Sequence, residues 1–231
     1  MIKMIVFDMA GTTVDEDNVV YKTLRAAIAQ AGYELTLDDV LLLGAGKEKL
    51  QAIKDILTSL DGQEAADTQA DSIYSYFRQE LKKAYQDLNV KTYPGTEALF
   101  ENLKVHHIKV VLNTGYDQQT ATSLLEKLQW QAGKQYDLLV TADDVSNGRP
   151  EPDMILLAME KMGISEAAQV AKVGDSKIDI EEGKFAGCGL TFGVTTGAQT
   201  AEQLQEAEPD YIIHSLTQME ELITLHQAVK P

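Results

Sequence analysis

Six short apolar runs punctuate the chain, at residues 2–8, 108–113, 138–141, 170–174, 191–194 and 211–213. They are unbroken rather than alternating, the pattern of strands covered on both faces and so of a parallel sheet. Between the later runs, apolar residues recur at helical spacing over 117–128, 152–162, 177–186 and 201–205. Strand–helix alternation of this kind predicts an α/β fold, a doubly wound parallel sheet with a Rossmann-like core. Its ligand site belongs at the carboxyl ends of the strands.

One interval breaks the rhythm. Between the first and second runs lies a stretch far longer than an ordinary crossover. It reads as helix throughout, over 19–31, 37–43, 47–60 and 63–88, with Thr36 and Asp39 forming a capping box for the second segment. The expected organisation is a core of residues 1–15 and 89–231 carrying an inserted all-helical cap, 16–88. Tyr93-Pro94-Gly95 marks the return to the core.

Composition narrows the partners. Against 20 Lys and Arg stand 36 Asp and Glu, a net charge of −16. Such a chain does not take nucleic acid or an anionic membrane as its main partner, and an anionic substrate needs a local cation or a metal. With one cysteine, Cys188, no intrachain disulfide forms. No signal-peptide pattern and no membrane-spanning stretch is evident, so a cytoplasmic enzyme is the expectation.

Four stretches carry candidate chemistry, each at a strand's carboxyl end or in the loop beyond it. Asp8-Met9-Ala10-Gly11-Thr12-Thr13 delivers a carboxylate into a small-residue turn. Asn113-Thr114-Gly115-Tyr116 offers a hydroxyl and free amides at a helix start, suited to a phosphate oxygen or simply to an N-cap. Gly148-Arg149-Pro150-Glu151-Pro152 supplies a cation able to neutralise a phosphoryl group. Gly174-Asp175-Ser176-Lys177-Ile178-Asp179 sets two carboxylates four residues apart, as a magnesium site requires. Taken singly, each has a plain structural reading. Together they supply a nucleophile, a hydroxyl, a cation and metal-binding acids, the parts needed for phosphoryl transfer.

This order resembles the haloacid-dehalogenase superfamily over nearly the whole chain. The resemblance implies that Asp8 is the nucleophile and forms an aspartyl-phosphate. It implies phosphoryl binding by Thr12, Thr114, Gly115 and Arg149, with Thr114 and Arg149 also catalytic. It further implies a Mg2+ site built from Asp8, the backbone carbonyl of Ala10, Asp175 and Asp179. Two positions depart from the general pattern. Ala10 stands where an acid/base aspartate is usual, and Arg149 where a lysine is usual. Both departures occur together in the phosphonoacetaldehyde hydrolase (phosphonatase) branch, which "DMAGTTVD" and "GRPEPDMI" are similar to. In that branch a cap lysine forms a Schiff base with the substrate aldehyde, and "LLLGAGKEKL" puts Lys47 at the matching position.

The expected reaction is cleavage of a carbon–phosphorus bond in a small aldehyde or ketone phosphonate, phosphonoacetaldehyde first. A carbon leaving group needs an electron sink rather than a proton, which accounts for Ala10. Lys47 falls in the expected first turn of a helix, where the macrodipole disfavours a cation. The pocket residues depart from the branch at Leu50, Asn18 and Leu43, where histidine, cysteine and methionine are usual. Two alternatives stay open, a phosphomonoesterase or pyrophosphatase and a non-catalytic binder of phosphoryl ligands. Closure of the cap over substrate allows for an open cleft without ligand. The resemblance also suggests a homodimer through the cap helices, compatible with the apolar face of residues 19–31.

Overall fold

The structure, a computed structural model, describes residues 1–86 and 88–229. In chain order the elements are β1 (Met4–Asp8), β2 (Val14–Asp15), α1 (Val19–Gln30), α2 (Leu37–Gly44), α3 (Lys49–Asp61) and α4 (Gln63–Gln86). There follow β3 (Lys91–Thr92), α5 (Thr96–Val105), β4 (Lys109–Thr114), α6 (Gln118–Lys127), β5 (Leu138–Thr141) and α7 (Asp153–Met162). The chain continues through β6 (Val170–Gly174), α8 (Lys177–Phe185), β7 (Leu190–Val194), α9 (Ala201–Gln205), β8 (Tyr211–Ile213) and α10 (Met219–Val229).

Six strands form one parallel sheet in the order β5-β4-β1-β6-β7-β8. All five residues of β1 are buried, as unbroken apolar strands require. The register pairs Asp8 with Asn113 and Phe7 with Val173, so the ends of β1, β4 and β6 lie side by side. This is the switch point of the sheet, where β1 is flanked by strands reached through opposite crossovers. Behind it the core is aromatic. Phe7 packs on Phe100 at 5.0 Å between ring centroids, and Phe100 on Trp130 at 5.3 Å. The Trp130 indole N–H finds its acceptor in Glu97 at 2.7 Å.

The helices α1 to α4 pack against one another as the insert between β1 and β4. The capping box at α2 is present: Thr36 accepts from the Asp39 amide, and Asp39 accepts from the Thr36 amide. Val20, Leu24, Ala27 and Ile28, the apolar face of α1, are buried inside the chain, so that face is spent on internal packing. The helix expected over 63–88 ends at Gln86; its residue 87 lies outside the described residues.

The third helix of the insert starts later than the pattern suggested. Gly46 sits at φ +76°, a left-handed conformation that no helix accommodates. Glu48 then caps α3, its carboxylate accepting from the amides of Leu50 at 2.9 Å and Gln51 at 2.8 Å. Lys47 therefore lies outside the helix, and Lys49 is its first residue.

Candidate active site

The ends of β1, β4 and β6 present their polar side chains in one place because the register holds them level. Asp8, Asp175 and Asp179 each offer a carboxylate oxygen, all within 4.8 Å of one another and all buried. Gly11 and Gly197 flank Asp175 so closely that a Cβ on either would overlap its carboxylate. Asp175 accepts from the Ala198 amide at 2.5 Å, and Asp179 from the Ser176 hydroxyl at 2.5 Å.

Arg149 reaches this cluster from the loop before α7. Its Nη1 lies 2.7 Å from Asp8 and 2.9 Å from Asp179, its Nε 3.0 Å from Glu182, and its Nη2 donates to Asn113 Oδ1 at 2.7 Å. Lys172, in the middle of β6, donates to Asn113 Oδ1 at 2.7 Å and pairs with Asp179 at 3.0 Å and Glu182 at 3.2 Å. Asn113 in turn donates to Glu182 at 2.8 Å. A planar guanidinium with several fixed donors suits this junction in a way a lysine does not.

The electrostatics are unbalanced as they stand. Four buried carboxylates, Asp8, Asp175, Asp179 and Glu182, share three buried cations, Arg149 and Lys172 in direct ion pairs and Lys49 in the same cavity. Burial, reinforced by the charge of Asp179, pushes Asp8 up to about 6 despite Arg149. Burial and the neighbouring Asp8 and Asp179 push Asp175 well above the carboxylate range. Burial also works against ionised Asp179, yet Arg149 and Lys172 hold it below its ordinary value. A buried set of hard oxygen donors, crowded enough to push two of its acids up, fits a dication of the magnesium type.

Around the carboxylates stand the other residues expected from the sequence. Thr114 and Gly115 line the cleft with Ala10 and Arg149. The Thr12 hydroxyl is fully buried and has no hydrogen-bond partner among the described residues. The structure thus brings together Asp8, Ala10, Thr114, Gly115, Arg149 and Asp175 at one cavity, with Asp179 in contact behind them.

Lys47 is not among them. Its ammonium is engaged by Asp55, and both side chains are part-exposed, at 27% and 33%. The lysine that enters the cleft is Lys49, whose side chain is buried between Tyr21 and Tyr116, with Nζ 4.9 Å and 5.3 Å from their ring centroids. The physical reason is the Glu48 cap, which delays the helix and turns the side chain of Lys47 outward. Burial pushes the Lys49 ammonium down to about 8, against Glu48 and Asp8.

The cleft is narrow. Its cavity is about 10 Å³, room for roughly one water. The loop between α2 and α3 packs across it. A Cβ on Gly115 would lie 3.0 Å from the Gly46 carbonyl oxygen and 3.1 Å from that of Lys47. Glycine at 115 is what lets the loop approach.

Sequence reasoning did not assign Lys172, Glu182, Lys49 or Glu16 to the site. Lys172 carried a signal, being a charge inside an otherwise apolar strand. Glu16, buried at the entry to α1, accepts from the Val20 amide at 3.2 Å, and burial pushes it up to about 8.

A buried aspartate at the switch point, with a guanidinium against it and two further acids beside it, forms a candidate hydrolytic centre. The chain belongs to the haloacid dehalogenase-like hydrolase family, whose model matches residues 5–192. It is 28% identical to a phosphonoacetaldehyde hydrolase of Latilactobacillus sakei, covering 98% of this chain and 96% of that one. It is 25% identical to a phosphorylated carbohydrates phosphatase of Thermotoga maritima, covering 93% and 98%. Among solved structures, a phosphonoacetaldehyde hydrolase-like protein from Oleispira antarctica superposes with a TM-score of 0.82 at 25% identity, covering 96% of this chain and 91% of that one. Among the described residues, no helix is long and apolar enough to cross a membrane.

Proposed function

We propose that the protein is a Mg2+-dependent, phosphonatase-like hydrolase that cleaves the carbon–phosphorus bond of a small aldehyde or ketone phosphonate. The observation that carries this reading is a buried amine in the same cleft as Asp8, where position 10 supplies a methyl group in place of a carboxylic acid. Relatives of this chain bear the name phosphonoacetaldehyde hydrolase, which supports the same substrate class.

Asp8 attacks phosphorus while Arg149, Thr114 and Thr12 hold the phosphoryl oxygens. Arg149 also fixes the attacking carboxylate, which it contacts directly. The bond to carbon breaks with its electron pair moving toward a protonated imine formed by a lysine of the cap loop. Water then hydrolyses the aspartyl-phosphate and the imine, releasing phosphate and an aldehyde or ketone. A Mg2+ ion held by Asp8, Asp175, Asp179 and the Ala10 carbonyl would neutralise phosphoryl charge. The helical insert acts as a cap that opens to admit substrate.

A second reading, a phosphomonoesterase, draws on the carbohydrate phosphatase of Thermotoga maritima. Lacking an acid at position 10, such an enzyme gives up about 10²–10⁴ in rate. A phosphate-release screen across phosphonates and phosphate esters decides between them. Turnover of phosphonoacetaldehyde well above that of any ester is expected; turnover of esters alone overturns the proposal.

A further inference from the structure

The cap loop offers two lysines, and they are placed very differently. Lys47, at the position the family pattern selects, points to Asp55 on the outer face of α3. Asp55 lines a surface groove with Gln51 and Lys54, away from Asp8 and Arg149. Lys49 lies on the other side of the loop. The residue is 5% exposed and lines the cavity with Asp8, Thr114 and Arg149.

We propose that Lys49, not Lys47, is the amine that condenses with the substrate carbonyl. This rests on the carbon–phosphorus reading above. Three features of the geometry make Lys49 suited to the task. First, it forms no ion pair among the described residues, its hydrogen bond going to the carbonyl oxygen of Lys47. A carboxylate partner would hold the proton and occupy the amine; a carbonyl does so far less. Second, it is the first residue of α3, so the helix dipole acts against its positive charge. Third, its walls are the rings of Tyr21 and Tyr116. Aromatic faces accommodate a transient cation, so they serve the protonated imine as well as the ammonium. Burial in this setting lowers the barrier to the neutral amine, consistent with an ammonium pushed down to about 8.

The charged and titratable groups around Lys49 are Glu48 on its own helix cap, Glu16 at the entry to α1, and Asp8 and Arg149 from the core. Tyr116 presents a buried hydroxyl with no hydrogen-bond partner among the described residues.

The chemistry balances without any further reagent. The neutral amine of Lys49 adds to the carbonyl carbon, forming the carbon–nitrogen bond. The resulting carbinolamine takes up a proton on oxygen and loses water, leaving a protonated imine. When Asp8 attacks phosphorus, the phosphorus–carbon pair becomes the carbon–carbon double bond of an enamine, and the imine π pair returns to nitrogen. The enamine takes a proton at carbon, water adds, and the amine is released with the carbonyl product.

The test is reductive trapping. Wild-type protein is incubated with Mg2+ and phosphonoacetaldehyde, reduced with borohydride, digested and read by mass spectrometry, while phosphate release is followed in parallel without reductant. The adduct is expected on Lys49. Lys47→Ala is expected to keep the adduct and to change phosphate release less than about fivefold. Lys49→Met is expected to lose the adduct and about 10³-fold or more of phosphate release, its melting temperature recording whether the fold survives. An adduct on Lys47 overturns the assignment and leaves the carbon–phosphorus reading standing. Phosphate release from the phosphonate with no lysine modified overturns imine chemistry altogether. Release from esters alone overturns the functional reading and the assignment with it.

Discussion

Arg149 and Asp8, 141 residues apart in sequence, meet at 2.7 Å in the buried cleft. The same guanidinium contacts Asp179, Glu182 and Asn113, so one side chain joins Asp8 to two acids of α8 and to the end of β4. Replacing it with methionine leaves buried carboxylates without their cation. The expected cost is about 3–5 kcal/mol of stability, read by chemical denaturation, together with loss of phosphate release. Arg149→Lys should recover part of the stability and little of the activity, because a lysine cannot contact all of these partners at once.

Asp8→Asn keeps the size of the side chain but removes the carboxylate that the proposed mechanism uses as its nucleophile. Phosphate release should fall by about 10³-fold or more, measured in single-turnover assays. Isotope-labelled water tests the intermediate. Hydrolysis of an aspartyl-phosphate at phosphorus puts the label in phosphate, and attack at the carboxyl carbon puts it in Asp8.

The crowding of three buried acids predicts a cation requirement visible without activity. Mg2+ should raise the melting temperature of the wild type, by about 2.7 kcal/mol of added stability at a hundredfold excess over Kd. Chelation should abolish turnover and reverse the stabilisation. Asp175→Asn removes a charge from the cluster and should need markedly more Mg2+ for the same shift.

Glu16 makes stability depend on pH. Burial raises its pKa from 4.5 to about 8, so between these values the folded chain binds a proton that the unfolded chain has released. Its contribution is therefore complete below pH 4.5 and is lost as pH rises toward 8, at roughly 1.4 kcal/mol per unit as an upper bound. Buried Lys49 acts in the opposite sense at higher pH, from about 8 to 10.5, where stability recovers. Glu16→Gln should flatten the fall in melting temperature between pH 5 and 8, measured against the wild type in matched buffers.

The approach of the cap loop to Gly115 can be blocked with one methyl group. Gly115→Ala places a Cβ against two backbone oxygens that cannot rotate away. The loop then stands off, and kcat/KM should fall by about tenfold to a hundredfold with little change in melting temperature. Equal loss of both would mean that this contact supports the fold rather than closure.

Much of the fold was legible because it depends on short-range pattern. The six unbroken apolar runs became six parallel strands, and the acids at their ends were readable as a convergent set once the sheet was inferred. The two-residue strands β2 and β3 left no pattern to read, being held by pairing between distant residues. The helix α5 carries Leu99, Phe100 and Leu103 at helical spacing, yet the reading left residues 96–105 unassigned. The start of α3 was misjudged by two residues because a carboxylate cap at Glu48 and a left-handed Gly46 compete with the apolar period. That small shift decided which lysine faces the cleft, a distinction that rotation about a helix axis makes and family position does not. Lys172 and Glu182 belong to a buried charge network whose members come from separate elements, and only the folded register brings them together.

The narrowness of the cavity bears on fidelity. The loop between α2 and α3 must lift to admit anything larger than about one water, so on the proposed chemistry a molecule captured beside Asp8 reacts or waits for the loop to lift again. An acyl phosphate formed there would be sheltered from stray nucleophiles, and the amine from aldehydes of the wrong shape. Selectivity would then come from what the lid can shut upon, a bulky phosphate ester failing to let the door close.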